Sequence, residues 1–241
     1  MSILSVRFSS RALAKQTTFN VIHPDHGEGP FPVLVQLHGF SDDCSSWLTN
    51  SNIARHVASL PLIVVLPDGG TSRYLNVKTH ERFVQENYED LIMRDIPEQV
   101  LRMFHVREGK WAIGGLSMGG YGALRLGMKH PDRFASIWAH SAGLRQVDPA
   151  LAQMLDDPKD ADVEHWASVL AGREQPVISF DCGVDDSLLA YNRDLHAYLE
   201  SIGVNHTYKE HAGAHTWDYW DLHVKEALIQ HASVLGIEPE S

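Results

Sequence analysis

Cysteine is nearly absent from this chain of 241 residues, with only Cys44 and Cys182 present. Two cysteines exclude a disulfide framework and leave at most one bridge, conditional on the fold bringing them together. Long apolar runs are missing as well. The longest, such as Pro61-Leu62-Ile63-Val64-Val65-Leu66, fall far short of the roughly 20 residues of a membrane-spanning helix, so no membrane partner is expected. Positive charge is in deficit: 20 Lys and Arg against 31 Asp and Glu give a formal net charge of -11. Nucleic acid and anionic lipid surfaces are bound through clustered cations, so neither is expected as a partner. No linker-like composition, low-complexity tract or fixed-period repeat interrupts the chain, and one domain over residues 1–241 is expected. Residues 1–18 carry Arg7, Arg11 and Lys15 but no continuous apolar stretch or small-residue cleavage site. No secretory leader is read there, and a cytoplasmic location is the expectation.

Two further absences bear on chemistry. No His/Cys/Asp group has zinc-ligand spacing, so neither a metal nor a cofactor is inferred. The glycine run Gly114 to Gly120 lacks the lysine that a phosphate-binding loop needs. The 15 histidines are scattered and read mostly as surface or helix-end residues.

What the chain does contain is 44% hydrophobic residues in alternating patterns. Short β-branched runs predict strands at 3–9, 17–22, 32–37, 61–66, 110–114, 135–140, 176–181 and 206–210. The first two read as an amphipathic antiparallel pair. Those at 32–37 and 61–66 are apolar on both faces, as in the middle of a parallel sheet covered by helices. Helices are predicted at 50–59, 88–104, 118–130, 187–202 and 217–234, with two weak helical patterns between 141 and 175. This alternation predicts a doubly wound α/β domain, with a mostly parallel eight-stranded sheet and no room for a large lid.

Between the fifth strand and the helix at 118 stands Gly-Gly-Leu-Ser-Met-Gly-Gly, in which Gly115 and Gly119 complete a G-x-S-x-G pattern around Ser117. Small flanking residues permit a turn sharp enough to push a hydroxyl out beyond the sheet, as a nucleophile requires. A serine also needs a base, usually histidine, oriented by a carboxylate. Functional groups of open α/β sheets lie beyond the strands' C-terminal ends. The loop after the seventh strand offers Asp185 and Asp186, preceded by Asp181, and the loop after the eighth offers His211 and His215. Ser, Asp, His is the chain order of an α/β-hydrolase. The N-H of Met118 and one from the loop His38 to Ser41 are the expected oxyanion donors. Asp185 and Asp181 have a plainer reading as solvated or helix-capping residues, and His38 as a brace of its loop. Trp47, Trp217, Trp220 and Tyr74 read either as pocket walls or as core. Asp68 is expected to shape its turn, and Cys44 and Cys182 to be small buried packing.

Leu-His-Gly-Phe-Ser-Asp-Asp at 37–43 with Trp47, Leu-Pro-Asp-Gly at 66–69, Gly-Leu-Ser-Met-Gly-Gly at 115–120, Cys-Gly-Val-Asp-Asp at 182–186 and Gly-Ala-His-Thr-Trp at 213–217 follow one another. In these motifs and their order, over nearly the whole chain, the sequence resembles the putative esterase family, which includes esterase D (S-formylglutathione hydrolase) and the tributyrin esterases. The resemblance implies an α/β-hydrolase fold, Ser117 as nucleophile, Asp186 as acid, His215 as base, and backbone N-H groups of Phe40 and Met118 as oxyanion hole. It implies a serine carboxylesterase acting on a small-molecule ester, and the missing lid suggests short acyl chains. S-formylglutathione hydrolysis, acyl transfer and feruloyl-ester cleavage share the scaffold, and a binding module without activity is the alternative of another class. Related esterases are often homo-oligomers, which leaves both monomer and homo-oligomer open.

Overall fold

Eight strands assemble into one sheet, whose inner strands carry apolar residues alternating between two covered faces. In the computed structural model, which describes residues 1–79, 84–145 and 148–237, the strands are β1 (Ser2–Ser10), β2 (Lys15–His23), β3 (Val33–Leu37), β4 (Ile63–Pro67), β5 (Trp111–Leu116), β6 (Phe134–His140), β7 (Val177–Gly183) and β8 (Thr207–His211). Their order across the sheet is β1-β2-β4-β3-β5-β6-β7-β8. β1 pairs antiparallel with β2, and β2 antiparallel with β4; every later pairing is parallel. A separate two-stranded ribbon joins Asn76–Val77 to Glu86–Asn87. All eight predicted strands of the sheet are present, with ends shifted by one or two residues.

The alternation is explicit in β4. Val64 and Leu66 face one layer, with Trp47, Ile53, Trp220, Val224 and Leu228. Ile63 and Val65 face the other, with Leu91, Ile96 and Val100. Further along that second face, Ile113, Ile137 and Phe180 pack against Leu124, Ala167 and Leu195. Helices Tyr88–Met103, Met118–Lys129, Val163–Leu170 and Leu189–Ser201 therefore share one side, and Trp217–Val234 covers the other. β1, at the sheet edge, alternates exposed and half-buried residues as predicted. β2 departs from its predicted polar face: Phe19 to Ile22 are all buried, because the strand is interior, between β1 and β4.

Two predicted helices are refined. The stretch 50–59 is two short helices, Ser46–Asn50 and Ile53–His56. The break is anchored at Asn52, whose backbone and side-chain N-H groups both donate to Asp221, each at 2.6 Å. The stretch predicted at 88–104 ends at Met103 and contains a π-helical segment, Leu91–Asp95, two residues before Pro97, which cannot donate an N-H to Met93. Between 148 and 176 lie only Pro149–Gln153, a 3-10 turn Pro158–Ala161 and Val163–Leu170, so the described residues form no large lid. No helix among them is long and apolar enough to cross a membrane.

The helix that begins after Ser117 is held from below by Arg125, which is wholly buried. Its guanidinium lies 2.7 Å from Glu89 and donates to the Tyr74 carbonyl at 2.7 Å. Burial alone would raise the Glu89 pKa, yet hydrogen bonds from His130 and Lys129 and the Arg125 charge hold it well below the usual carboxylate range.

Candidate active site

The parallel register sets strand ends side by side. Leu37 lies opposite Gly115, Leu116 opposite His140, His140 opposite Asp181, and Gly183 opposite His211. The loops after β3, β5, β7 and β8 thus emerge together, as expected at the carboxyl edge of an open sheet.

Ser117 occupies the turn from β5 into the helix Met118–Lys129 with φ 52° and ψ -114°, a conformation a serine adopts only when its surroundings enforce it. Its N-H donates to the His140 carbonyl at 2.9 Å, and its own carbonyl accepts from Tyr121 at 3.0 Å and Gly143 at 2.9 Å. Gly115 and Gly119 make the turn sterically feasible. A Cβ on Gly115 would lie 2.5 Å from the Gly119 carbonyl, and one on Gly119 would lie 2.5 Å from the Leu37 carbonyl oxygen and 2.6 Å from that of His38. The loop after β3 is therefore packed directly on the serine turn.

That loop is braced by residues with several sequence readings. Gly69 donates its N-H to His38 Nε2 at 2.8 Å, so the ring proton sits on Nδ1 and is donated to the Gly39 carbonyl at 2.8 Å. Tyr74 donates to the His38 carbonyl at 2.9 Å, and Trp47 Nε1 to the Leu37 carbonyl at 3.0 Å. Trp47 and Tyr74 are buried and belong to the core rather than to a pocket wall. Asp68 accepts from Gly70 N-H at 2.9 Å and shapes its turn. Phe40 follows, 64% exposed.

His215 and Asp186 complete a chain of hydrogen bonds. His215 Nε2 lies 3.0 Å from Ser117 Oγ, and Nδ1 lies 2.8 Å from Asp186 Oδ2. With the proton on Nδ1, Nε2 is free to accept from the serine hydroxyl. The other Asp186 oxygen accepts from Leu188 N-H at 2.8 Å. Burial pushes the Asp186 pKa up, but hydrogen bonds from His215, Leu188 and the Ser141 hydroxyl outweigh it, and the net direction is down. Asp186 is buried while Asp185 is exposed, because the Asp186 N-H bonds back to Gly183 and that of Asp185 to Gly213. The two loops meet at glycines: a Cβ on Gly183 would lie 2.3 Å from the Gly213 carbonyl oxygen.

Asp181 departs from its reading as a loop residue. It is fully buried at the end of β7 and accepts from Trp138 Nε1 at 2.6 Å, His140 Nδ1 at 2.7 Å and Tyr219 Oη at 2.7 Å. Burial opposes its charge, yet His140, Tyr219 and Trp138 hold its pKa below the ordinary value. Since removing one member of a buried polar group strands the others, Asp181→Ala is expected to cost about 3–5 kcal/mol in urea unfolding; a loss within 1 kcal/mol would contradict this account. His38, His140, His223 and His231 are likewise buried, exceptions to the reading of most histidines as surface or helix-end residues.

Residues that carried no sequence signal support the site. Ser141, at φ 47°, follows β6, and its Oγ accepts from Trp220 Nε1 at 3.2 Å. The Trp220 ring stands edge-on to His215, centroids 4.9 Å apart. Trp220 is buried, and Trp217, partly buried, packs edge-on against both it and Trp47. Ser141 was legible only as the residue after a strand, since its partners come from positions 186 and 220. His211 ends β8, pointing to Glu226 at 3.6 Å, and does not join the Ser117 chain. Both cysteines are free. Burial and the neighbouring Asp186 push the Cys182 thiol up to about 12; Cys44, half-buried rather than buried, is pushed to about 11 by burial, Asp68 and Asp43. Neither is a thiolate nucleophile at neutral pH.

A serine on a strained strand-to-helix turn, in an eight-stranded mostly parallel sheet with helices on both faces, defines a serine hydrolase of α/β-hydrolase fold. The chain belongs to the esterase family described as "Putative esterase", whose profile matches residues 10–231, and is a serine ester hydrolase. It is 29% identical over 262 residues to an acetyl esterase of Caldicellulosiruptor saccharolyticus, covering 95% of this chain and 97% of the relative. Among solved structures, an S-formylglutathione hydrolase from Agrobacterium tumefaciens superposes with TM-score 0.87 at 22% identity, covering 97% of this chain and 95% of the other. The fluorophosphonate-binding serine hydrolase F of Staphylococcus aureus superposes with TM-score 0.81 at 23% identity, covering 95% and 98%.

Proposed function

We propose that the protein is a carboxylesterase for small, short-chain acyl esters, with Ser117 as nucleophile, His215 as general base and Asp186 as the acid that orients it. The observation that carries this reading is the unbroken chain Ser117 Oγ, His215 Nε2 at 3.0 Å and, through Nδ1, Asp186 at 2.8 Å. Ser117 Oγ adds to the ester carbonyl while its proton passes to His215 Nε2. The negative oxygen of the tetrahedral intermediate is met by the N-H groups of Phe40 and Met118. Collapse breaks the C–O bond, the alcohol leaves with the proton from His215, and an acyl-Ser117 ester remains. Water, deprotonated by His215, adds to that ester and releases the acid and the free serine. The ionised Asp186 stabilises the imidazolium in both halves.

Short acyl chains are favoured by the partial exposure of the site, where the His215 side chain is 32% accessible, and by the kinship with an acetyl esterase. A panel of p-nitrophenyl acetate, butyrate and palmitate with S-formylglutathione tests the reading. Highest kcat/KM is expected on acetate or butyrate; preference for palmitate or the thioester would refute the substrate class. Mass spectrometry after fluorophosphonate treatment should find the adduct on Ser117, whereas an unlabelled, inactive protein would point to a binding module.

A further inference from the structure

Outside the Ser117 site, three side chains from distant positions converge where β8 meets the last helix. His211 is the final residue of β8, and His223 and Glu226 stand three residues apart on the helix Trp217–Val234. Glu226 Oε1 lies 3.2 Å from His223 Nδ1 and 3.6 Å from His211 Nε2. The two imidazoles are stacked, with centroids 4.0 Å apart and planes at 19°. One ligand atom from each of the three residues can be chosen so that all lie within 4.8 Å of one another. His211 Nε2 is sealed from solvent and has no hydrogen-bond partner among the described residues, an arrangement that costs free energy unless something else engages the nitrogen.

We propose that His211, His223 and Glu226 form a binding site for a zinc-class divalent cation. Ligand atoms around a tetrahedral zinc, each about 2.0–2.1 Å from the ion, stand roughly 3.4 Å apart. The two contacts of Glu226, at 3.2 and 3.6 Å, bracket that spacing; the stacked imidazoles, whose in-plane lone pairs run nearly parallel, must turn out of their stack to converge on one ion, with water as fourth ligand. Two imidazole nitrogens and one carboxylate oxygen suit Zn²⁺ or Co²⁺ and are a poor set for Ca²⁺ or Mg²⁺, which prefer oxygen. Lys209 Nζ lies 2.6 Å from Glu226 Oε2. It leaves Oε1 turned towards the histidines while offsetting part of the carboxylate charge. The bound ion would tie β8 to the helix across residues 212–216, the loop that carries His215, and the His211 carbonyl is already held by the Val184 N-H at 2.8 Å.

The test is titration of chelator-treated full-length protein with Co²⁺, followed by calorimetry and by the visible absorption bands of tetrahedral cobalt, with Zn²⁺ as competitor. One equivalent is expected to bind with those bands, to be displaced by Zn²⁺, and to raise the melting temperature. His211→Asn and Glu226→Gln should each weaken Co²⁺ binding by at least about 10-fold, and Lys209→Met should strengthen it, which a hydrogen-bonded ion-pair cluster without metal would not predict. His223 is buried and its replacement risks the fold, so the test rests on His211 and Glu226, whose side chains are 26% and 33% accessible. Absence of stoichiometric binding, or affinity undiminished in both variants because other histidines bind the ion, would overturn the proposal.

Discussion

Ser117→Ala is expected to lose p-nitrophenyl acetate hydrolysis by about 10⁴- to 10⁶-fold in kcat, with KM changed far less. The size follows from the proposed covalent step: without Oγ no acyl-enzyme forms, and only oxyanion stabilisation and substrate binding remain to accelerate attack by water. The variant should fold, since the backbone bonds of Ser117 to His140, Tyr121 and Gly143 do not involve its side chain. Ser117→Gly offers an independent check. Glycine accepts φ 52° without the strain a Cβ imposes, so this variant should be equally inactive yet no less stable than the wild type. Steady-state kinetics with circular dichroism melting decides both points. Activity of Ser117→Ala within 10-fold of wild type would rule out the serine as nucleophile.

Asp186→Asn is expected to lower kcat by about 10⁴-fold, whereas Asp185→Asn should change it by no more than about two-fold. The contrast rests on where two adjacent carboxylates point. Asp186 is buried against His215 Nδ1 and the Leu188 N-H. An amide there turns its NH₂ towards one of these donors or forces the imidazole proton onto Nε2, where it blocks acceptance from Ser117. Asp185 is exposed and its side chain holds nothing in the site. The pH dependence follows in sign. Because the folded Asp186 pKa is depressed, its contribution to stability is present above the unfolded value, near 4, and fades as pH falls through the lower folded value. Asp186→Asn should therefore flatten part of the acid limb of the stability profile. Equal losses of activity in the two variants would show that the loop, rather than one carboxylate, matters.

Much of the fold was legible because each strand carries its burial in its own pattern. Val33 to Val35 and Ile63 to Leu66 are apolar on successive residues, which only a sheet covered on both faces can satisfy. The serine turn was equally plain from its G-x-S-x-G pattern, in which Gly115 is required by the close approach of Gly119, although Gly119 itself makes room for the distant Leu37 and His38 carbonyls. β2 misled because its alternation does not reveal that β1 will sit on its outer edge. Asp181 misled for a related reason: its partners Trp138, His140 and Tyr219 come from another strand and from the last helix, and nothing near residue 181 announces them.

The order of elements, the strained Ser117 turn and the family motifs were set within short stretches of chain, where steric demands and hydrophobic periodicity act between near neighbours. Sheet register decided the rest. Parallel pairing of β5, β6, β7 and β8 put residues 117, 141, 186 and 215 at one edge, turned Asp186 inward and Asp185 outward, and buried Asp181 beneath them. The same pairing brought His211 to His223 and Glu226. Such contacts depend on which strand ends emerge together, a property of the closed three-dimensional packing that no local sequence pattern encodes.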